Sequence, residues 1–440
     1  MMMKTGRGRS SPARHNAEDD DAVPGGVDDF RPCRHDRHDG GVNVETATPA
    51  AGMVADACRG VDPDVPLALY LHVPFCATRC GYCDFNTYTA GELGSSSSPD
   101  SWQEAVAREL EVAARLLTPA RPVSTIFVGG GTPSLLGGAG LTRLLDSVRT
   151  NFDLADDVEI TTESNPESTS PGFFADLRSA GFTRISLGMQ SAAEHVLRLL
   201  DRTHTPGRAV AAAREARAAG FDHVNLDLIY GTPGETDADL HATVDAVLEA
   251  GVDHVSAYAL IVEDGTALAR RIRRGEMPAP DDDVLADRYQ ILDQRLRADG
   301  LDWYEVSNWA RGDDSVCRHN IAYWHSHDWW GIGPGAHSHA AGVRWLNAKH
   351  PARYSKSLAD GVLPIASAEQ LSPADRHLEA VMLTTRCRSG LPRDLLDEAE
   401  TANAEQLCAD GLLTATSGAY VLTDAGRLLA DGVIRRVLWG

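Results

Sequence analysis

The chain has 440 residues, of which 43% are hydrophobic, so it is long enough for two or three domains with cores of their own, and disorder throughout is excluded. Its 41 lysines and arginines against 63 aspartates and glutamates give a net charge of −22, which disfavours non-specific binding to nucleic acid or anionic lipid. Eight cysteines in this length are too few for a disulfide-built scaffold and are more typical of intracellular metal or redox chemistry.

The first segment, residues 1–64, carries charged residues, histidine, glycine and proline without apolar periodicity. Such a composition cannot bury enough surface to offset the entropy of ordering, so we predict a disordered N-terminal tail. Its histidines could bind a metal ion, but a solvated polar tail is the simpler interpretation. The sequence contains neither an apolar signal core nor a run of the roughly 18 apolar residues that span a membrane, which predicts a cytoplasmic protein without a direct membrane anchor.

From residue 67 onward, short β-rich runs alternate with longer stretches of helical period. The predicted strands are 67–73, 125–129, 158–163, 184–188, 223–229 and 254–261. The predicted helices between them lie near 101–117, 138–149, 171–180, 206–219 and 236–250. This alternation predicts an α/β core over residues 65–300, with parallel strands and helical crossovers, either as a doubly wound sheet or as a barrel of β/α units.

Beyond the core, the alternation fades. A helical region at 281–299 leads into an aromatic and histidine-rich stretch, which we assign to an accessory module over residues 301–366 packed on the core. Residues 367–440 show two helical patterns and a short strand, which suits a small winged-helix-like α+β domain. Its charge is mixed, so a structural appendage is preferred to a nucleic-acid-binding unit.

Three cysteines stand close together directly after the first predicted strand. Cys76, Cys80 and Cys83 form a C-x3-C-x2-C spacing, with no further cysteine before Cys317. Structural zinc sites normally take four ligands in two separated pairs. Three thiolates could hold three irons of a [4Fe–4S] cube and leave the fourth iron open. We therefore favour a cluster over the alternatives, an incomplete zinc knuckle or three reduced thiols.

The spacing C-x3-C-x-aromatic-C, with Tyr82 as the aromatic residue, resembles the signature of the radical S-adenosylmethionine (SAM) family. In that family the amino and carboxylate groups of SAM chelate the open iron, and reductive cleavage gives methionine and a 5′-deoxyadenosyl radical. The family's fold is an incomplete barrel of six β/α units. The resemblance thus implies a partial (β/α)6 TIM-like barrel, in agreement with the six strands counted from the alternation.

Further polar residues fall at or near the carboxyl ends of the predicted strands, where active sites of β/α barrels are assembled. A glycine-rich turn, 129–133, follows the second strand, Glu163 ends the third, Gln190 follows the fourth and Asp227 lies inside the fifth. Each alone could be a simple turn or a satisfied core polar group. Four of them on one rim favour a binding site.

Longer matches resemble the subfamily that comprises oxygen-independent coproporphyrinogen III dehydrogenases and HemW-type heme chaperones. They lie at 69–76, 128–134, 163–166, 186–191 and 227–234, and the resemblance extends over about residues 67–440. It implies cluster ligation by Cys76, Cys80 and Cys83. The other cofactor-binding residues that it implies are Tyr70, Tyr82, Gly130, Gly131, Thr132, Glu163, Gln190, Arg202 and Asp227 for SAM, and His319 for heme.

Two features separate the members of this subfamily. The dehydrogenases call for a further cysteine two residues after the last cluster ligand, where this chain has Phe85. The stretch from His319 to Trp324 resembles the H-N-x-x-Y-W motif of the heme chaperones, and imidazole is a common axial ligand of heme iron. Without the resemblance, His319 would more often be a hydrogen-bonded structural residue. The competing ligands that the sequence offers are His325, His327, His337, His339 and Cys317.

The preferred hypothesis is a heme chaperone that binds a [4Fe–4S] cluster, SAM and heme and delivers heme to a respiratory or other hemoprotein. The alternatives are an oxygen-independent coproporphyrinogen III dehydrogenase of porphyrin biosynthesis and a radical SAM enzyme with another substrate. The resemblance implies as partners heme, a recipient hemoprotein and an electron donor such as a flavodoxin or ferredoxin, with a homodimer allowed. No residue is assigned a catalytic role.

Overall fold

The computed structural model describes residues 48–94, 97–202 and 205–440. Helices and strands alternate along the first half of this part. In chain order they are α1 (Pro49–Arg59), β1 (Leu67–Val73), α2 (Ala90–Leu93), α3 (Pro99–Leu116), β2 (Val123–Gly130), α4 (Gly137–Asn151), β3 (Leu154–Ser164), α5 (Pro171–Ala180), β4 (Arg184–Gln190), α6 (Glu194–Leu199), α7 (Arg208–Ala218), β5 (His223–Tyr230), α8 (Asp237–Ala250) and β6 (His254–Ala259).

The second half has shorter elements. In chain order they are α9 (Ala267–Arg273), α10 (Asp282–Ala298), β7 (Asp302–Glu305), β8 (Asn308–Ala310), α11 (Arg318–Trp324), β9 (Asp328–Ile332), β10 (His337–Ala340), β11 (Val343–Asn347), α12 (Pro351–Ala359), β12 (Ile365–Gln370), α13 (Pro373–Thr384), β13 (Leu391–Pro392), α14 (Glu398–Ala409), β14 (Leu413–Ala415), β15 (Ala419–Leu422), α15 (Asp424–Leu428) and α16 (Ala430–Trp439).

The central strands lie side by side in the order of the sequence. Strands β1 to β6 run parallel, each paired with the next, and β9 pairs in parallel with the other side of β1. Since β1 and β6 do not pair with each other, the barrel is incomplete. The α/β class and the partial (β/α)6 barrel predicted from the sequence are confirmed.

The two faces of this sheet differ in chemistry because successive side chains of a strand point to opposite sides. On the outer face, apolar residues such as Leu69, Ile126 and Leu226 are buried beneath the helices in one continuous core. The inner face carries polar side chains, among them Glu163 and Asp227. No helix within the described ranges is long and apolar enough to cross a membrane.

Helix α1 contradicts part of the predicted tail, 1–64. Ala51 N donates a hydrogen bond of 3.1 Å to Thr48 Oγ1, which caps the helix, and Pro49 suits its first turn. Val54 and Cys58, one turn apart, are buried in the main core. Disorder is therefore the wrong prediction for residues 48–64, where the apolar period is too short to stand out. The remainder of that prediction, residues 1–47, lies outside the described part.

The accessory stretch, expected as a module packed on the core, instead lengthens the core's own sheet. Strands β8 and β7 extend it beyond β6, and β9 to β12 extend it beyond β1. Strand pairing therefore joins this stretch to the core. The sequence showed the aromatic residues of this stretch but not that its short strands would find partners at the two open edges of the barrel.

A buried glutamate fixes one of these extensions to the outer helices. Glu109 of α3 accepts hydrogen bonds from Asn347 Nδ2 (2.7 Å), Tyr354 OH (2.5 Å), Trp330 Nε1 (3.3 Å) and Gly333 N (2.9 Å). Burial raises the pKa of this carboxyl to about 6, although the hydrogen bonds oppose the shift. The glutamate thereby ties β9 and β11 to α3 and keeps the accessory strands in register with β1.

Residues 373–440 form the C-terminal unit with a small core of its own. Strands β13, β15 and β14 make an antiparallel sheet, and α13, α14 and α16 pack around it. Val381, Leu407, Tyr420 and Val437 are buried in this core. The boundary predicted at residue 367 falls inside β12, which pairs with β11 in the main sheet. The winged-helix type of this α+β unit stays a prediction.

Candidate functional site

The three clustered cysteines lie on a loop that leaves the carboxyl end of β1. Its backbone is held on both sides: Cys76 N donates to Tyr88 O (3.0 Å), Gly81 N donates to Leu200 O (3.3 Å), and Leu268 N donates to Gly81 O (2.8 Å). The loop is thus fixed between its own return segment, the end of α6 and the start of α9. A loop held in this way presents its side chains at the same edge as the other strand ends.

All three thiols, of Cys76, Cys80 and Cys83, are free and half-buried. Cys76 Sγ accepts a hydrogen bond from Thr132 Oγ1 at 3.8 Å, and Cys80 Sγ accepts one from Arg202 Nη1 at 3.6 Å. Burial raises the pKa of Cys76 and raises that of Cys83 to about 11, so a bound metal would have to displace the thiol protons. The two donors suit sulfurs that carry negative charge.

No group of three or more histidine, cysteine or acidic side chains in the described ranges converges on a single-ion site. Thiolates at three corners of a [4Fe–4S] cube each bind a different iron, so they need not converge on one point. Three free thiols on one loop, two of them with hydrogen-bond donors at the sulfur, fit such a cube better than they fit one zinc ion.

The glycine-rich turn after β2 docks directly on the cysteine loop. Gly131 N donates to Val73 O (2.7 Å), and Thr132 N donates to Phe75 O (2.8 Å). A Cβ at Gly131 would collide with the carbonyl oxygen of Phe75 and stand 3.0 Å from Cys76 Sγ. This turn is therefore a contact surface for the loop, and the position needs glycine because no side chain fits there.

Replacing Gly131 by alanine is expected to push Cys76 out of place and to lower the iron content of the reconstituted protein by half or more. Iron and sulfide analysis with the absorption of the cluster measures the effect. Gly137→Ala is the matched control, because a Cβ at Gly137 meets no atom within 4 Å, although its φ of 68° costs some strain. Equal iron content in both variants would contradict the docking role of Gly131.

Two carboxylates face each other across the inner face of the sheet. Glu163 Oε2 accepts a hydrogen bond from Gly130 N at 2.9 Å, and Asp227 accepts from Ser186 Oγ and Asn225 Nδ2, both at 2.7 Å. Burial and then the charge of Asp227 raise the pKa of Glu163 to about 8, and burial also raises the pKa of Asp227. A cationic ligand would stabilise the ionised pair.

Glu163→Gln is expected to make the ligand-free protein about 4 kcal/mol more stable at pH 8 but only about 1 kcal/mol more stable at pH 5. The pKa of Glu163 is raised in the folded state, so its carboxyl disfavours folding increasingly as the pH rises from about 4.5 through about 8. Chemical unfolding at the two pH values measures the difference. A variant that is less stable than the wild type at pH 8 would show that the ionised carboxylate stabilises the folded protein in the absence of ligand.

The next two rim residues leave buried polar atoms unsatisfied. Gln190 stands in the left-handed region (φ 63°) just where β4 ends. Within the described part of the chain, Gln190 Oε1 and Arg202 Nε have no hydrogen-bond partner. A Cβ at Gly188 would lie 2.7 Å from Arg202 Nη2, so the glycine makes room for the guanidinium. Orphaned buried polar groups carry a cost that a polar ligand would relieve.

The two tyrosines have different surroundings. Tyr70 is on the inner face, where its hydroxyl shares a hydrogen bond of 3.1 Å with His72 Nδ1 and its ring stacks on Phe127. Tyr82 packs beneath the loop against apolar residues that include Leu200 and Leu268. The structure thus gives Tyr82 a packing contact, whereas Tyr70 lies beside Glu163 and Gly129.

The imidazole of His319 is enclosed by side chains on the inner face of the sheet. Helix α11 covers the inner face near the amino-terminal ends of the strands, and the imidazole is 1% exposed. Its Nδ1 shares a hydrogen bond with Thr125 Oγ1 (2.8 Å), its Nε2 shares one with Tyr323 OH (2.9 Å), and the ring stacks on Phe127. Burial lowers its pKa to about 3.

In this arrangement His319 offers no free nitrogen to iron. Ligation would require the hydrogen bond with Tyr323 to break and the ring to leave its buried place. The axial-ligand role that the resemblance implies for His319 stays a prediction. Cys317 is equally enclosed: its thiol donates to Glu159 Oε1 at 3.5 Å, and burial raises its pKa, which disfavours the thiolate.

A buried ion pair that the sequence analysis missed holds the start of α11. Glu159 accepts hydrogen bonds from Arg318 N (3.2 Å), His319 N (3.0 Å) and Arg184 Nε (3.2 Å). Arg184 Nη2 in turn donates to Ser315 O at 2.9 Å. Both residues stand in otherwise β-rich runs, where a buried charge is costly unless it is paired. A charged residue inside a predicted buried strand was therefore the signal in the sequence that could have revealed this ion pair.

Comparison with known proteins agrees with this geometry. The family model of the radical SAM superfamily matches residues 70–247. A heme chaperone HemW from Mycobacterium tuberculosis is 60% identical over 376 residues, covering 86% of this chain and 96% of that protein. HemW from Escherichia coli is 32% identical over 385 residues, covering 85% of this chain and 98% of that protein.

Among solved structures, coproporphyrinogen III oxidase (HemN) from Escherichia coli, a radical SAM enzyme, superposes with a TM-score of 0.74. It is 26% identical, and the match covers 87% of this chain and 92% of that chain. The similarity extends over the barrel and most of the remaining described part. The chain therefore belongs to the radical SAM superfamily, in its HemW-like subfamily.

Proposed function

We propose that the chain is a heme chaperone that holds a [4Fe–4S] cluster and SAM, binds heme and delivers it to hemoproteins. This chain is 60% identical to a protein named heme chaperone HemW, over 96% of that protein's length. This observation carries the proposal. Phe85 supports it. This residue stands where the dehydrogenase pattern calls for a cysteine, and its side chain is 54% exposed beside the cysteine loop.

The cluster would be held by Cys76, Cys80 and Cys83. When bound, it supplies an electron at low potential and an open iron for the amino and carboxylate groups of SAM. Arg202 would donate to the sulfur of Cys80, as it does in the structure, and thereby stabilise the charge of the thiolate. Thr132 would do the same at Cys76.

The residues proposed around SAM supply complementary groups. Glu163 would accept hydrogen bonds from an ammonium, Asp227 would bind a ribose diol, and Arg202 would pair with a carboxylate. Gln190 adds an acceptor that is unsatisfied within the described residues. SAM would contact a surface formed by Tyr70, Gly130, Gly131 and Thr132.

A second candidate function is the oxidative decarboxylation of coproporphyrinogen III. The superposition with the coproporphyrinogen III oxidase of Escherichia coli favours it, since the two chains share the same fold over most of their length. Phe85 and the much higher identity with HemW favour the chaperone. A fold that is shared by an enzyme and a chaperone does not choose between them.

A parallel assay separates the two functions. The protein is purified without oxygen, its cluster is reconstituted, and heme binding and coproporphyrinogen decarboxylation are measured on the same preparation. We expect one heme per chain by absorbance and no decarboxylation, with the oxidase from Escherichia coli as the positive control for turnover. Sustained formation of protoporphyrinogen would contradict the chaperone proposal.

The proposal also concerns location and partners. Buried free thiols such as those of Cys58 and Cys387 suit a reducing compartment, and we place the chaperone in the cytoplasm. Its partners would be heme, a recipient hemoprotein and an electron donor such as a flavodoxin or ferredoxin. A homodimer is compatible with this role.

A further inference from the structure

A row of buried polar side chains crosses the inner face of the sheet beside Asp227. Ser186 of β4 pairs with Asn225 of β5, and Asn225 pairs with His254 of β6, so the three stand side by side on neighbouring strands. Asn225 precedes Asp227 by two residues and therefore shares its face of the sheet. All three side chains are buried, and none of them is among the residues proposed to contact SAM.

The amide of Asn225 acts on both carboxylate oxygens of Asp227. Asn225 Nδ2 donates to Asp227 Oδ1 at 2.7 Å and also to Ser186 Oγ at 2.7 Å. Ser186 Oγ in turn donates to Asp227 Oδ2 at 2.7 Å. Since an ionised carboxylate only accepts hydrogen bonds, the amide nitrogen, and not the amide oxygen, has to face Asp227. The orientation of one buried amide therefore decides whether both oxygens of the carboxylate are held.

The imidazole of His254 determines which way that amide points. Its Nδ1 shares a hydrogen bond of 2.7 Å with Asn225 Oδ1, and its Nε2 shares one of 2.8 Å with the hydroxyl of Tyr304. Burial and then the charge of Arg184 lower the pKa of His254 well below its usual value, so the ring is neutral and carries one proton. Because Asn225 Oδ1 can only accept, that proton is on Nδ1, and the Tyr304 hydroxyl donates to Nε2.

The far end of the row is held by the side chain of Asn320. Tyr304 is buried, and its hydroxyl oxygen accepts a hydrogen bond from Asn320. The hydrogen bonds therefore run in one direction along the row, from Asn320 to Asp227. Within the described ranges, no side-chain nitrogen or oxygen of Asn225, His254 or Tyr304 is buried without a partner. A buried polar network in which every group is satisfied has one defined arrangement, which makes it suited to hold a carboxylate in place.

We propose that His254 is a positioning residue of the SAM site, which acts through Asn225 to hold the carboxylate of Asp227 for the ribose diol. The inference rests on the proposed function, because that function supplies SAM and its contact with Asp227. With Ser186 Oγ bound to one carboxylate oxygen and Asn225 Nδ2 to the other, the plane of the carboxylate is fixed before the ligand binds. An acceptor that is already oriented loses little conformational entropy on binding, which strengthens its contact with the diol.

Equilibrium binding of SAM and of 2′,3′-dideoxy-SAM, which lacks the diol, tests this role in the full chain with its cluster reconstituted. The wild type should bind SAM about tenfold or more tightly than the analogue, because Asp227 needs hydroxyl donors. His254→Asn keeps an amide nitrogen on Cγ, where Nδ1 stands, and should retain this preference. The matched variant His254→Gln carries its amide one bond further out and should bind both ligands about equally. A merely structural role would weaken both ligands alike, and iron analysis checks that each variant holds its cluster.

Asp227→Asn provides the reference for a site without the carboxylate, and it should abolish the preference for SAM over the analogue. If it does so while His254→Asn and His254→Gln share one preference, whether kept or lost, the role of His254 Nδ1 is overturned and the SAM site stands. If the wild type itself binds SAM and the analogue equally, the contact of Asp227 with the ribose is overturned, and the positioning role of His254 falls with it.

Discussion

Replacing Cys80 by alanine is expected to abolish the cluster, with iron falling from about four per chain to a trace and the visible absorption disappearing. Two thiolates cannot hold three corners of the cube. The change also removes the acceptor of the Arg202 Nη1 hydrogen bond, so the guanidinium loses its partner on the loop. Binding of SAM should be lost together with the iron, since the open iron is part of its site.

The matched control is Cys408→Ala in the C-terminal unit. Cys408 is also a free, half-buried cysteine, but it packs at the edge of the separate small core. Iron content and absorption should equal those of the wild type. Full iron content in Cys80→Ala would show that this thiol is not a ligand, and a loss of iron in both variants would point to unfolding, which circular dichroism detects.

The parallel core was predictable because its strands are short apolar runs between helices of clear period. Runs such as Ile126-Phe127-Val128 are covered by helices on the outside and by the barrel interior on the inside. They therefore consist of apolar residues and are easy to recognise as strands in the sequence. The cysteine loop and the glycine turn were predictable for a different reason. Their chemistry depends on residue type and spacing within one short segment.

The environment of His319 was not predictable, because it depends on partners far away in the sequence. Thr125, which shares a hydrogen bond with its Nδ1, precedes it by 194 residues, and Glu159, which accepts from its backbone, precedes it by 160 residues. A motif of six residues shows which side chains a helix carries but not which face of the barrel covers them. Accessibility, on which ligation depends, is set by these distant contacts.

A similar limit applies to the edge strands. Strands of three to five residues such as β8, β9 and β10 have weak patterns of their own, and they form because an open edge of the parallel sheet is available beside them. His337 and Trp329 acquire a common face only through that pairing. The sequence named His337 among its candidates, but its separation from the other histidines required the register of the sheet.

Glu159→Ala is expected to destabilise the protein by about 3 to 5 kcal/mol, because it leaves Arg184 buried without its charge partner and removes the acceptor at the start of α11. Arg184 is 2% exposed and cannot recover hydration without local unfolding. Thermal and chemical unfolding measure the loss. His319 and Tyr323 should become mobile on the inner face, which the fluorescence of the neighbouring Trp329 would report.

The double variant Glu159→Leu with Arg184→Met separates the cost of an unpaired charge from the role of the cap. The stability lost in Glu159→Ala could come mainly from the unpaired buried charge of Arg184. In that case the double variant should regain most of it, because apolar residues of similar size can replace a buried ion pair. If the cap at Arg318 N and His319 N dominates, the double variant stays unstable. A single variant as stable as the wild type would show that neither contribution holds α11, and that its other contacts, such as those of His319 with Thr125 and Phe127, are sufficient.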